Sequence, residues 1–273
     1  MSLSFSVNTN VNAMLALQNL SATAASLSST QLDITTGLAV NGPQDDASTY
    51  AIAQSMRGTI AGMGAVQTAL ASGQSTLSVA INGGQSIADL ITQMEAKVVA
   101  ANADGLDSTS RSALNNDYQA LSSQIETIVV TASFNGTNLL TSGASNFSVL
   151  STVDGSVISV SAQDMSLTGL GISGLDLNSS GDASAALTAI NTALNLVNSR
   201  LAALGSAASR IDNQSSFTSQ LVDVLNEGVG NLVDANMAQE SAQLQALQVK
   251  QQLGVESLSI ANQAPQLILS LFK

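Results

Sequence analysis

Apolar residues in the C-terminal third of the chain repeat at alternating spacings of three and four. A straight α-helix drifts off this seven-residue period, so a helix that keeps it must wrap around partner helices in a left-handed supercoil. The pattern therefore predicts a coiled coil whose partner helices lie elsewhere in the sequence. Its positions are Leu187, Ile190, Leu194, Val197, Leu201, Leu204, Ala208, Ile211, Ser215, Thr218, Val222, Leu225, Val229 and Leu232.

Two runs with the same spacing lie in the N-terminal half. The longer run comprises Met63, Val66, Leu70, Gly73, Leu77, Ala80, Gly84, Ile87, Ile91, Met94, Val98 and Ala101. The shorter run comprises Arg111, Leu114, Tyr118, Leu121, Ile125, Ile128 and Ala132. Because these runs are distant from the C-terminal one in sequence, we predict a mainly α fold. It is a long antiparallel coiled-coil rod formed by the N- and C-terminal segments, with a small central β-hairpin region.

The composition favours a slender architecture. Apolar residues make up 45% of the chain, but aromatic residues only 3% and charged residues 10%. Ala, Leu, Val and Ile suit narrow seams between helices, whereas large globular cores usually also contain Phe, Tyr and Trp. With 273 residues we expect one rod with a small elaboration.

The charged and reactive residues argue against an enzyme. The chain has no His, so every mechanism that needs a catalytic or metal-binding His is impossible within it, and it has no Cys for disulfides or Cys-based zinc sites. The net charge of −12 offers no basic stripe for nucleic acid. The carboxylate pairs Asp45 with Asp46 and Asp104 with Asp107 are more typical of helix caps than of a metal site. We therefore expect no cofactor, no metal and no nucleic-acid partner.

No segment has the features of a secretory signal peptide or a membrane span. Residues 1–30 lack an uninterrupted apolar stretch, and the first basic residue is Arg57. No stretch is long and apolar enough to cross a bilayer. If the protein leaves the cell, we expect it to use another route.

Local signals divide the chain further. Pro43 lies where a helix can restart, and Asp45 and Asp46 place negative charge in its expected first turn. Alternating residues on both sides of Asp154-Gly155 predict a hairpin with a two-residue turn. The apolar phase slips between Leu232 and Met237, which predicts a joint before a separate terminal helix.

Several segments near the two ends of the chain form recognisable motifs. At the N-terminal end they are residues 27–47, LSSTQLDITTGLAVNGPQDDA, and residues 134–140, FNGTNLL. At the C-terminal end they are residues 209–211, SRI, residues 234–242, DANMAQESA, and residues 261–271, ANQAPQLILSL. These motifs resemble the terminal signatures of bacterial flagellins, occur in the family's order and cover about residues 1–140 and 185–273. The short middle, Ala39 in place of the family's usual Arg, and Gly42-Pro43-Gln44 resemble the alphaproteobacterial type without large outer domains.

This resemblance implies a structural subunit that self-assembles into an extracellular motility filament. It implies a secreted protein, with a homopolymer, the flagellar export apparatus, an export chaperone, the filament cap and hook-associated proteins as partners, and no membrane partner. We expect assembly contacts within and between subunits. The residues predicted to make them are Leu17, Leu20, Leu27, Leu32, Ile34, Asp45, Asp46, Leu244, Leu247, Leu258, Ile260, Asn262, Gln263, Leu267 and Leu271.

The predicted organisation has five parts. They are a filament-core helix and connector at 1–42, the N-terminal part of the rod at 43–140, a short solvent-facing hairpin region at 141–183, the C-terminal part of the rod at 184–233, and a terminal core helix at 234–273. Ser and Thr within 141–183 are candidates for glycosylation. Two alternatives stay open: a hook-filament junction protein, and an adhesin or binding module displayed on a filament.

Overall fold

The structure, a computed structural model, describes the backbone of residues 9–270 and the side chains of residues 9–263. Within this range it contains the five helices α1 (Val11–Thr36), α2 (Ala47–Ala101), α3 (Ser108–Thr131), α4 (Ser180–Val233) and α5 (Met237–Ser270). It also contains the strands β1 (Ser133–Phe134), β2 (Thr137–Asn138), β3 (Phe147–Leu150) and β4 (Val157–Val160). The predicted mainly helical fold with a small central β region is confirmed. No helix in the described range is apolar over a length sufficient to cross a membrane.

The chain divides into two compact units. The terminal unit contains the described residues up to Gly58 together with those from Val224 onward. The central unit contains Thr59–Asp223. Each unit has its own internal packing.

The core of the central unit lies along the predicted helical seams. Every seam position of α2 from Val66 to Ala101 is buried, and on α4 the most deeply buried predicted positions are Ile190, Val197, Leu204 and Ile211. The burial confirms the spacing of three and four as the pattern that faces the core.

The turn between α2 and α3 is fixed by two polar side chains. The Asp107 carboxylate accepts hydrogen bonds from the backbone N–H groups of Thr109 (2.8 Å) and Ser110 (2.9 Å), as an N-cap residue should. The buried guanidinium of Arg111 donates to the carbonyl oxygen of Ala101, the last residue of α2. A cation at this position also interacts favourably with the C-terminal end of the helix dipole.

The two hairpins have different turns. β1 and β2 are joined by Asn135 and Gly136, whose φ angles are 47° and 78°, so both central residues have the positive φ that a type I′ turn requires. In the second hairpin Leu150 pairs with Val157, and only Gly155 in the connecting loop has a positive φ. The two-residue turn predicted at Asp154-Gly155 is therefore wrong. Asp154 keeps a negative φ, and the loop closes instead through the N–H of Gly155 and the carbonyl of Thr152 at 3.2 Å.

The central segment 141–183 is packed along one side. Val149, Ile158 and Val160 alternate with exposed neighbours on the strands, and Met165, Leu170, Ile172 and Leu177 in the following loop are also buried in the core of the central unit. The prediction of a solvent-facing region is wrong for these side chains. Alternate residues of a strand point to opposite faces, so a hairpin next to helices buries one face and exposes the other.

Candidate assembly surface on the terminal helices

Helix α1 begins and ends at residues that satisfy its free backbone groups. The Asn10 side-chain oxygen accepts a hydrogen bond from the N–H of Ala13 at 3.0 Å, and Gly37 ends the helix with a φ of 74°. A left-handed residue at this position is most easily a glycine, because a Cβ would be strained there.

Helices α1 and α5 pack in antiparallel directions. Asn10 Nδ2 donates to the carbonyl of Ala261 at 2.7 Å, a Cβ on Gly254 would lie 3.1 Å from Leu20 Cδ1, and Gln243 Nε2 donates to Thr30 Oγ1 at 3.4 Å. As residue numbers rise along α1 they fall along α5. The terminal segments of the chain are therefore paired within one molecule.

The seam between these helices contains mostly small, polar or partly exposed side chains. Thr30 is the buried residue of α1, and Leu247 is the buried hydrophobic residue of α5 among the described side chains. The predicted contact residues Leu20, Leu27 and Ile34 on α1 and Leu244 and Leu258 on α5 are half-buried. Gly254 permits the close approach to Leu20, since a larger side chain would fill that space. Such a seam buries little apolar area.

Large apolar side chains lie on the outer faces of both helices. The predicted contact residues Leu17 and Leu32 on α1 are 53% and 49% exposed, and Ile260 on α5 is 62% exposed. The structure adds others that were not among the predicted contacts: Val11, Met14 and Leu15 on α1, and Val249, Leu253 and Val255 on α5. The signal for them was available in the sequence, since apolar residues occur on more than one face of these helices. We call this set, together with Leu17, Leu32 and Ile260, the outer apolar face.

The acidic residues of the connecting segment organise turns. The Asp46 carboxylate accepts hydrogen bonds from the N–H of Ser48 (2.9 Å) and of Thr49 (3.1 Å) at the start of α2. The bond from Thr49 is the largest cause that lowers the pKa of Asp46 below its ordinary value. Asp45 Oδ2 accepts from the N–H groups of Asn41 (2.9 Å) and Gly42 (3.1 Å).

The expectation that Pro43 starts the helix with Asp45 and Asp46 in its first turn is wrong. Helix α2 begins at Ala47, so Asp46 caps the helix from outside and Asp45 belongs to the preceding turn. The reason is that a carboxylate bonded to the first free N–H groups stabilises the helix end more directly than one placed within the turn. Asp33 lies in the same cluster: its Oδ1 accepts from Asn41 Nδ2 at 2.8 Å, while partial burial and the charge of Asp45 raise its pKa.

The connecting segment is tied to the joint between α4 and α5. The N–H of Ala39 donates to the carbonyl of Val233 at 2.7 Å, and the N–H of Ala235 donates to the carbonyl of Gly37 at 2.9 Å. Leu38 and Asp234 form an antiparallel bridge between these bonds. The phase slip begins slightly earlier than predicted, because Leu232 is 38% exposed while Val233 is 1% exposed and takes the inward position.

The remaining predicted residues fall near the C-terminal end. Asn262 and Gln263 are exposed on α5, and Gln263 Nε2 donates to Ser259 Oγ at 3.5 Å. Leu267 lies within α5, but its side chain is outside the described residues, as is the whole of Leu271. The structure therefore brings the predicted contacts of α1 and α5 onto one helix pair, while Asp45 and Asp46 lie in the connector.

Several Ser and Thr of the central segment are exposed. Ser148 on β3 pairs with Ser159 on β4, and both side chains face solvent, whereas Ser151 and Ser166 are buried. The other exposed hydroxyl residues within 141–183 are Ser142, Ser145, Ser156, Ser161, Thr168, Ser173, Ser179 and Ser180. Glycosylation in this segment stays a prediction, restricted by exposure to these positions.

Comparisons with known proteins agree with this architecture. The sequence matches the model of the bacterial flagellin N-terminal helical region over residues 7–145 and that of the C-terminal helical region over residues 187–272. Flagellin FljK of Caulobacter vibrioides is 41% identical over 269 residues, which cover 98% of each chain. A flagellin of Brucella melitensis is 37% identical over 281 residues, covering 98% of this chain and 99% of the relative.

Two solved structures share the fold at lower identity. A Bacillus cereus flagellin is 23% identical, with a TM-score of 0.51 over 55% of this chain and 88% of that chain. A putative flagellar hook-associated protein from Vibrio parahaemolyticus is 15% identical, with a TM-score of 0.58 over 70% of this chain and 100% of that chain.

The helical central unit and the paired terminal helices define a structural protein built from helix–helix contacts. The chain belongs to the bacterial flagellin family, and the predicted resemblance to the short alphaproteobacterial type is confirmed. It is accordingly a structural subunit that self-assembles into the flagellar filament, an extracellular part of the flagellum, and it is not an enzyme.

Proposed function

We propose that subunits pack against one another in the filament through the outer apolar face of α1 and α5. The observation that carries this proposal is that small and polar side chains lie in the seam between α1 and α5, whereas large apolar side chains lie on the outside. The seam within the molecule contains residues such as Thr30 and Gly254, while Met14 and Leu253 are 63% and 64% exposed on the outside. A helix that is apolar on several faces is stable only when those faces are buried.

Charge supports the α1 part of this surface. From Val11 to Leu32, helix α1 carries no charged residue. A charged side chain would have to lose its hydration when a neighbouring subunit covered the helix, and this would oppose assembly. Burying one Leu, Ile or Met side chain contributes roughly 1.5–3 kcal/mol. The exposed residues together supply the favourable free energy that the seam within one molecule lacks.

A substitution at Leu253 tests the proposal. Leu253→Gln keeps a good helix former but removes apolar area, so the monomer should fold normally while the critical concentration for assembly rises about tenfold to a hundredfold. Gln252→Ala, at the neighbouring exposed position, is the matched control. Circular dichroism of the monomer and sedimentation of seeded filaments give the two measurements. Equal assembly by the two variants would refute the role of this face.

We further propose that the subunit is exported without a cleaved signal peptide through the flagellar export apparatus. An export chaperone, the filament cap and hook-associated proteins are its other partners. Membership of the flagellin family and the polar interruptions in residues 1–30 support this route. Peptide mapping of subunits released from filaments should recover peptides that cover residues 2–30. Filament subunits that uniformly lack a segment of signal-peptide length from this region would rule the route out.

The division into five parts at 1–42, 43–140, 141–183, 184–233 and 234–273 is also a proposal. It is supported by the helix breaks between Thr36 and Ala47 and between Val233 and Met237. Neither the junction-protein alternative nor the adhesin alternative is favoured by an observation on the described residues.

A further inference from the structure

A second apolar surface lies on the central unit, around Phe217 of α4. Phe217 is 57% exposed, an unusual state for one of the few aromatic side chains of this protein. Arg210 and Leu221 lie seven residues before it and four after it, so the three share one face of the helix. Aromatic residues and Arg are the residue types most enriched where proteins bind proteins.

The tip of the second hairpin extends this surface. Val153 is 44% exposed, and its side chain packs so closely on α2 that a Cβ at Gly62 would lie 2.8 Å from Val153 Cγ1. Gln214 holds the hairpin in place, because its Nε2 donates to the carbonyl of Ser151 at 2.9 Å. The cleft between them has a volume of about 50 Å³. Ligand pockets are usually several times larger, so the cleft suits a side chain of another protein. It is lined by Met63, Val66, Ser151, Thr152, Val153, Gln214, Phe217, Thr218 and Leu221.

Arg210 has no partner of its own among the described residues, unlike the other cations of the central unit. Lys97 pairs with Asp117 at 2.7 Å, Arg111 donates to the carbonyl of Ala101, and Arg200 donates to the carbonyl of Gly169 at 3.1 Å. Acidic residues outnumber basic ones by 19 to 7, so another copy of this chain offers carboxylates with which a free guanidinium can pair. We call Met63, Val153, Arg210, Phe217 and Leu221 the Phe217 patch.

A shallow, open groove lies along the exposed face of α3. It is lined by Ser123, Glu126, Thr127, Val130 and Thr131. Val130 is 62% exposed, and Glu126 is exposed without a hydrogen bond or ion pair in the described part of the chain. The hydroxyl groups of Thr127 and Thr131 donate to carbonyls of their own helix at 2.9 and 2.7 Å. Because these polar groups are already satisfied, an apolar partner can cover the groove at little cost.

We propose that the Phe217 patch of one subunit docks on the Glu126 groove of a second copy, with Arg210 paired to Glu126. The two surfaces are different, so the contact is heterologous, and repeating it produces an open polymer instead of a closed dimer. This proposal rests on the function proposed above and adds a contact of the central unit to those of the terminal helices. The patch is small, so it stabilises the polymer through repetition along the filament.

A charge exchange tests the pairing. Arg210→Glu and Glu126→Arg should each raise the critical concentration for seeded assembly about tenfold, because each places like charges opposite one another. The double variant should restore it to within about threefold of wild type, since the pair is re-formed in reverse. Arg210→Glu with Asp89→Arg is the control: it has the same net charge, but exposed Asp89 lies on α2 outside the groove, and assembly should stay impaired. Thermal unfolding of each monomer should match wild type, because the side chains of Asp89, Glu126 and Arg210 are all solvent-exposed.

The outcomes separate this proposal from the preceding one. If wild type assembles and Arg210→Glu assembles equally well, the Phe217 patch is not a subunit contact, while assembly through α1 and α5 stands. If both single variants are impaired but the double variant is not restored, the pairing with Glu126 is wrong. If the Asp89 control restores assembly as well as Glu126→Arg does, net charge alone explains the effect and the docking is overturned. Failure of wild type to extend seeds would contradict both proposals.

Discussion

Replacing Gly73 by Ala should destabilise the central unit, although the same change nearby in α2 should stabilise it. A Cβ at Gly73 would lie 2.6 Å from Val149 Cγ2 and 3.0 Å from Val149 Cγ1. Val149 is buried on β3, and a β-branched side chain has little rotational freedom with which to move away. Gly64 has no atom within 4 Å of the corresponding position. Comparing Gly73→Ala with Gly64→Ala therefore separates the effect of helix propensity from that of packing.

Whether Gly73→Ala raises or lowers the free energy of unfolding depends on two opposing contributions, helix propensity and crowding. Ala in place of Gly in a helix interior contributes about 0.5–1 kcal/mol, and Gly64→Ala should show this gain in full. At Gly73 the overpacked contact costs about 1–3 kcal/mol, which exceeds the gain. The free energy of unfolding of Gly73→Ala should thus lie about 1–3 kcal/mol below that of Gly64→Ala. For a unit of this size each kcal/mol changes the melting temperature by about 2–4 °C.

Thermal unfolding of the monomer by calorimetry measures this difference. Val149→Ala removes both methyl groups that a new Cβ would meet, so Gly73→Ala should be less harmful, or beneficial, in that background. Equal melting temperatures for Gly64→Ala and Gly73→Ala would refute the close packing of the hairpin on α2. An unchanged effect of Gly73→Ala in the Val149→Ala background would refute Val149 as its cause.

Three further outcomes are expected. Arg111→Met removes the hydrogen bond to the carbonyl of Ala101 and should cost about 1.5–3 kcal/mol in thermal unfolding, whereas an unchanged melting temperature would show that the bond is dispensable. The N–H of Ser110 is the largest cause that lowers the pKa of Asp107, so this carboxylate contributes stability above its ordinary pKa of 3.8 that is lost as the pH falls below it. The stabilities of wild type and Asp107→Ala should accordingly converge in acid, and a constant gap down to about pH 2 would contradict this. An epitope inserted after exposed Ser173, which does not line the cleft of the Phe217 patch, should leave filaments visible by electron microscopy, while the same insertion after buried Val149 should abolish them.

The helical part of the fold was predictable because burial imposes a period on the sequence. Positions such as Leu77 and Ile190 recur at the spacing of a helix seam, and both are fully buried. The joint before α5 was visible in the sequence as a change of phase in the apolar pattern. The structure differs from the prediction only in that Val233, and not Leu232, is buried there. Periodicity reports which face of a helix is buried, and it reports this well over long helices.

The turns were less predictable because a short sequence motif is compatible with several turn types and loop lengths. Asp154-Gly155 is compatible with a two-residue turn, but the register of β3 and β4 places both residues in a longer loop. Asn135-Gly136 does form the two-residue turn, and its sequence is among the strongest signals for one. The register of strand pairing decides between such solutions, and it depends on tertiary contacts such as that of Val149 with Gly73.

The candidate surface was only partly predictable for a related reason. The predicted contacts include Leu20 and Leu247, which lie in the seam between α1 and α5, but not the exposed residues Leu253 and Val249. Both side chains are more than half exposed, so the apolar residues on this second face of α5 can be recognised in the sequence, but their role cannot be assigned from packing within one molecule. Their role follows from comparing what the helix pair buries with what it leaves exposed.

The bonds between the connecting segment and the α4–α5 joint have a mechanical consequence. The chain passes this region twice, at residues 37–40 and again at 233–235, and backbone hydrogen bonds and a bridge link the two passages. Stretching one passage alone would break these links, so tension applied along either passage is shared by both. When a filament subunit is pulled, two linked passages should therefore separate less readily than a single linker would. Gly37 is the natural weak point, since its carbonyl accepts one of the links and its left-handed backbone tolerates few replacements.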